Sequence, residues 1–202
     1  MPDHSRSTRL LLAAIGTTAL VLTASCSNDG ALRDQEATSL DSPSATAEFN
    51  DTEFNDTDVM FAQMMYPHHE QAVQMARLVN TRTTTATVVD LAARIAAAQQ
   101  PEMDRLANLL ESWGATLPDS STMNHGSGGM MSDADMESLT AATGSDFDRQ
   151  WLTMMIDHHS GAIEMARTEL DAGVDVDARD LASSIATDQQ QEIDTMRAML
   201  GR

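Results

Sequence analysis

The residues in this chain best suited to chemistry are histidine and methionine, and they come in two matching stretches. Met64 to Arg77 reads MMYPHHEQAVQMAR, and Met154 to Arg167 reads MMIDHHSGAIEMAR. Each carries a Met-Met pair, a His-His pair and a lone Met, and four of the six histidines lie in the two copies. Imidazole suits copper and zinc, while thioether selects copper(I). A site meant for zinc would more often combine histidine with thiolate or carboxylate. The pattern therefore points to a soft metal, copper before zinc. The candidate ligands are His68, His69, Met64, Met65 and Met75 in the first copy, and His158, His159, Met154, Met155 and Met165 in the second. Adjacent helical residues lie about 100° apart around the axis, so the two histidines of a pair cannot point the same way. The expectation is that His68 sits in the centre of the apolar stripe beside Met64 and Met75. His69 then sits at its edge, one turn after Met65. The second copy groups His158 with Met154 and Met165, and His159 with Met155.

The elements that must position these groups are themselves duplicated. At a fixed offset of ninety, Phe61 matches Trp151, and Asp90-Leu91-Ala92 matches Asp180-Leu181-Ala182. Further on, Ile95, Gln99, Gln100, Glu102 and Asp104 match Ile185, Gln189, Gln190, Glu192 and Asp194. Matches at one offset mark an internal repeat. Apolar residues at steps of three and four predict two helices per unit. The first ends near Thr81 to Thr85, and the second ends at Gly114, a C-cap glycine. In the second unit the break comes near Gly173, and the last helix runs from about Asp177 to Leu200. Asn55 with Asp58, and Ser145 with Asp148, have the spacing of capping boxes. The reading is an all-α antiparallel four-helix bundle built from two duplicated hairpins, residues 54–114 and 144–202. The crossover, 115–143, holds a short extra helix capped by Ser132 and Asp135. Its MNHGSGGMM run places Met123, His125, Met130 and Met131 as possible loop contacts to metal, beside the plainer reading of a linker.

Polar residues interrupt the second helix of each unit at mid-length: Gln99 and Glu102, then Gln189 and Glu192. A bundle core excludes such groups unless they are paired. They are expected to meet the histidines, where a carboxylate would orient an imidazole and raise its basicity. Pro67 and Pro101 each remove a helical hydrogen bond beside this layer. Their partners are Asp157 and Gln191, so any kink is confined to one unit.

The chain has 202 residues, a net charge of -19 and no lysine, a surface that repels nucleic acid. Arg6 and Arg9, the apolar run Leu10 to Leu22 and small residues up to Cys26 describe a signal peptide over 1–25. Thr23-Ala24-Ser25-Cys26 resembles a lipoprotein signal box, with Thr23 where Leu is usual. It implies a lipid anchor on Cys26, or plain secretion if Cys26 is not acylated. Residues 26–53 are polar and too poor in large apolar side chains to fold, as befits a tether.

Taken together, the Met-Met, His-His and Met-Ala segment, followed by Leu-Ala, Ile, Gln and Glu in the next helix, resembles the domain-of-unknown-function 305 family. The likeness spans about residues 54–202. It implies a ferritin-like four-helix bundle, a secreted or membrane-anchored protein, and ligands at the paired histidines and nearby methionines. Some members of that family are linked to copper binding and tolerance. The leading expectation is an extracytoplasmic lipoprotein that binds copper for buffering, tolerance or delivery, with the metal ion and the membrane as its partners. The rivals are a metal-dependent oxidoreductase on a ferritin-like bundle and a metal-free interaction module. The first rival is weakened because di-iron members of that architecture need Glu-x-x-His. The residues three before the paired histidines are Met65, Tyr66, Met155 and Ile156.

Overall fold

The computed structural model describes residues 53–118 and 128–201, all within one compact unit, Glu48–Arg202. The leader 1–25, Cys26, nearly all of the tether, and the loop residues Met123 and His125 lie outside the described residues. Five helices follow in order: α1 (Asp56–Arg82), α2 (Ala86–Ser112), α3 (Asp133–Ala141), α4 (Gly144–Ala172) and α5 (Val176–Met199). Long helices α1 and α2 form one hairpin, α4 and α5 the other, and the hairpins meet chiefly through α1 against α4. The all-helical bundle from two hairpins is as expected, with α3 as the short crossover helix.

Local chemistry sets most of the ends. The Asn55 side chain accepts from the backbone N–H of Thr57 and Asp58, and Asp58 accepts from the Asn55 N–H, closing a capping box. Ser132 and Asp135 close a second at α3. After α2, Gly114 takes a left-handed φ of 67°. The Ala115 N–H then reaches the Leu110 carbonyl and the Gly114 N–H the Glu111 carbonyl, a Schellman ending. The capping box expected of Ser145 and Asp148 is not made. Helix α4 begins at Gly144, with no side-chain cap bond from Thr143. That puts Ser145 inside the first turn, and Asp148 instead accepts from the Thr85 hydroxyl at 2.6 Å. Pro67 and Pro101 sit inside helices that run on through them.

The two apolar clusters do not follow the repeat symmetrically. One gathers Met75, Val79, Leu91, Ile95, Phe147, Trp151, Met154 and Met155, and the crossover adds Met131 and Leu139. The other gathers Phe61, Met65, Leu106, Leu110, Ala162, Leu181 and Ile185, and among the described residues the crossover adds to it only the partly buried Ala115. Trp151 ties the hairpins together, its indole N–H donating to the Met75 carbonyl at 3.0 Å.

Candidate metal centre

Helix α1 and helix α4 turn their His-His pairs into the bundle. His68, His69, His158 and His159 are all at most 1% exposed. The His68 and His158 rings, one from each unit, lie with centroids 3.7 Å apart and planes tilted by 38°. Both members of each pair are buried because the stripe is centred between them rather than on the first. His69, about 100° further round the helix, is as deep as His68. Met64, about 40° to the other side, is pushed out.

Each ring but one has a fixed partner. His69 Nε2 donates to Glu102 at 2.8 Å, and His159 Nε2 donates to Glu192 at 2.7 Å, both within a unit and both from side chains whose carboxylates reach the surface. His68 Nε2 donates to the Gly128 carbonyl at 3.0 Å. A proton held on Nε2 leaves the Nδ1 lone pair free. The Nδ1 of all four rings is buried without a hydrogen-bond partner, as is His158 Nε2. Burial, followed by the neighbouring ring of His69, holds His68 down to about 3. Burial and the other three rings hold His158 well below the ordinary range. The His68–His158 pair is therefore neutral, the state in which imidazole ligates.

The expected polar layer exists, with one change of partner. The glutamates reach the histidines, whereas Gln99 and Gln189 are buried with neither amide atom hydrogen-bonded. A buried polar group without a partner costs about 1–3 kcal/mol, so a stability-driven core would not keep this many. Among the described residues no three His, Cys, Asp or Glu side chains gather as a metal-holding group. A metal here would need imidazoles completed by thioether.

The methionines divide. Met65, Met75 and Met155 are fully buried and Met154 nearly so, while Met165 is half-buried. Met64 is 37% exposed, so the expected core position beside His68 does not hold. It lines a groove with Met165 and Gly128 instead. Met131 is in the core, and Met130 is half-buried.

Sequence reasoning missed what holds the crossover against the histidines. Gln71 clamps it in two places: its Nε2 donates to the Met131 carbonyl at 2.9 Å, and its Oε1 accepts from the Met131 N–H at 2.7 Å. At the matching position in α4 stands Gly161, where a Cβ would overlap the Gly128 carbonyl. Gly128 and Gly129, with φ of 63° and 81°, lie directly on it. Gln71 and Gly161 thus differ because each holds a different part of one crossover. The Gly-Gly dipeptide at 128–129 was the available signal.

The family described as "Domain of unknown function (DUF305)" matches residues 58–200. The chain belongs to the DUF305 family. A DUF305 fragment from Deinococcus radiodurans is 32% identical, with a TM-score of 0.68, over 73% of this chain and 97% of that one. A presumed secreted DUF305 protein from Streptomyces coelicolor is 31% identical, with a TM-score of 0.65, over 72% and 91%. CopM in its Cu(II)-bound form is 27% identical, with a TM-score of 0.63, over 70% and 94%. CopM has also been solved with Cu(I) and with silver. No curated protein sequence matches the chain. The DUF305 bundle of this chain thus shares its fold with a protein solved holding copper.

Proposed function

We propose that this DUF305 protein binds copper through its paired histidines and neighbouring methionines, and buffers or passes on the ion outside the cytoplasm. The observation that carries this reading is the set of four buried Nδ1 atoms, three of them on rings whose Nε2 proton is already committed to a carboxylate or carbonyl. A neutral imidazole held in one tautomer by a partner on its far nitrogen is how proteins prepare a histidine for metal. The buried sulfurs of Met65, Met75, Met154 and Met155 give soft donors in the same interior, suited to copper(I). The copper-bound and silver-bound forms of CopM support the choice of ion.

The N-terminal region completes the proposal. Residues 1–25 act as a signal peptide, Cys26 carries a lipid anchor, and 26–53 tether the bundle to the membrane. No described helix is long and apolar enough to cross a membrane.

The test is anaerobic titration of the protein with copper(I) against a chromophoric chelator, with zinc alongside. Copper(I) should bind tightly and zinc weakly, and replacing His68 and His158 together by Ala should remove the tightest equivalent while far-UV circular dichroism stays helical. Undiminished copper binding in a folded double variant would refute an imidazole site.

A further inference from the structure

The repeat gives the bundle two equivalent faces along the α1–α4 seam, and among the described crossover residues Met131 and Leu139 cover only one. On the covered face Phe147, Trp151, Met154, Met75 and Val79 pack under Met131 and Leu139. Ninety positions away, their counterparts are Thr57, Phe61, Met64, Met165 and Glu169. These line a groove of about 220 Å³. Helix α3 does not reach it, and the sequence has adapted: Phe147 is replaced by Thr57 and Val79 by Glu169. The methionines were kept, and one was added. Met60 stands where the other unit has Gln150. Met60 and Met64 are 57% and 37% exposed and are the two exposed methionines among the described residues.

Met60 and Met64 are one helical turn apart on α1, and Met165 faces them from α4. Glu164 stands at the rim. Three thioethers with a carboxylate beside them match a soft monovalent cation, and offer little to a hard ion. The floor includes Gly128 and Gly161, and the Gly128 carbonyl is the group that holds His68. The Gly128 peptide unit thus borders both the groove and the His68 ring.

We infer that this groove is an outer binding site for copper(I) or silver(I), held by Met60, Met64 and Met165 and distinct from the buried imidazoles. It receives the ion at the surface, next to the backbone that guards His68. The inference rests on the soft-metal reading above, yet it is tested by different residues. Silver(I) is the probe, since it does not change oxidation state. The full-length protein carrying methyl-13C methionine is titrated with silver(I) and followed by NMR, with resonances assigned from single Leu variants. The methyl signals of Met60, Met64 and Met165 should shift together within the first equivalents. The M60L/M64L/M165L protein, altered mainly at exposed or half-buried positions, should stay folded and bind one silver ion fewer. Loss of His68 and His158 should leave the three methyl shifts in place. If those methyls stay still while silver binds elsewhere, or if the triple variant binds as many ions as the parent, the groove is only an uncovered apolar face and the inference is overturned. A groove that responds in a protein indifferent to loss of both histidines would overturn the imidazole reading alone.

Discussion

At the scale of single residues, the carboxylates fix the orientation of two histidines, and under the copper reading proposed above they would set how tightly those histidines bind. Glu102 and Glu192 hold the far nitrogen of His69 and His159 and leave Nδ1 as the donor. A carboxylate in this role raises ligand basicity, and its loss typically weakens metal affinity about 10–100-fold. Glu102→Gln keeps an oxygen able to accept from Nε2 but removes the negative charge. The expected outcome, read by chelator competition at constant pH, is copper(I) affinity at least about tenfold lower in E102Q/E192Q with little change in melting temperature. Affinity equal to the parent's would mean that the two Glu–His bonds serve packing alone. Gln99 and Gln189 are buried at the same level without a hydrogen bond to any histidine.

At the scale of elements, the crossover is what makes two copies of one hairpin unequal. Gly161→Ala tests this. The helix itself tolerates a side chain there, because the matching residue in α1 is Gln71. The expected cost, on the order of 1–3 kcal/mol for an overpacked site, comes only from pushing the Gly128–Gly129 backbone away. Urea denaturation should record the loss, and histidine NMR should record the freeing of His68 Nε2. A variant as stable as the parent would mean that the crossover is not held against α4. The same element explains what was legible in the sequence. The four long helices followed from apolar spacing, Gly114 and the Asn55 cap, and the repeat at ninety gave their pairing. The depth of the polar layer followed too, because Glu102 and Glu192 interrupt a stripe at the level of the histidines. What could not be read was long-range. The face on which α3 lies is set by Gln71 holding Met131 and Gly161 admitting Gly128, both about sixty or thirty positions away in sequence. That choice, with the true centre of the stripe, sends Met64 out to the groove and keeps Met154 within. The Ser145 cap failed for a related reason: Asp148 is taken by Thr85 of the other hairpin.

For the whole molecule, two buried groups pull stability in opposite directions as pH changes. Unfolded, His68 takes up a proton as pH falls through 6.5; folded, it resists until about 3. Between those values the unfolded chain binds more protons, so stability falls as pH falls, and His158 acts in the same sense. Glu169 does the reverse. Burial, and then the adjacent Asp58, raise it from 4.5 to about 8. Asp58 itself stays below its ordinary value, despite the upward pull of burial, because the neighbouring Glu169 carboxyl and the backbone N–H groups of Asn55, Val174 and Asp175, which donate to it, favour its charged form. Glu169 therefore remains protonated in the fold, with Asp58 ionised beside it. Between 4.5 and about 8 the unfolded chain has already lost this proton, so stability falls as pH rises. The metal-free protein should be most stable near pH 6.5, weakening toward acid because the two histidines outweigh the single opposing Glu169, and toward alkali through Glu169. Thermal melts from pH 4 to pH 9 measure this directly. Glu169→Gln keeps a neutral side chain of the same size at every pH. It should abolish the alkaline decline between pH 6.5 and 8 while leaving the acid limb intact. If E169Q and the parent decline alike above pH 6.5, the carboxyl pair joining the start of α1 to the α4–α5 turn does not govern the alkaline side, and the general repulsion of a chain carrying -19 does.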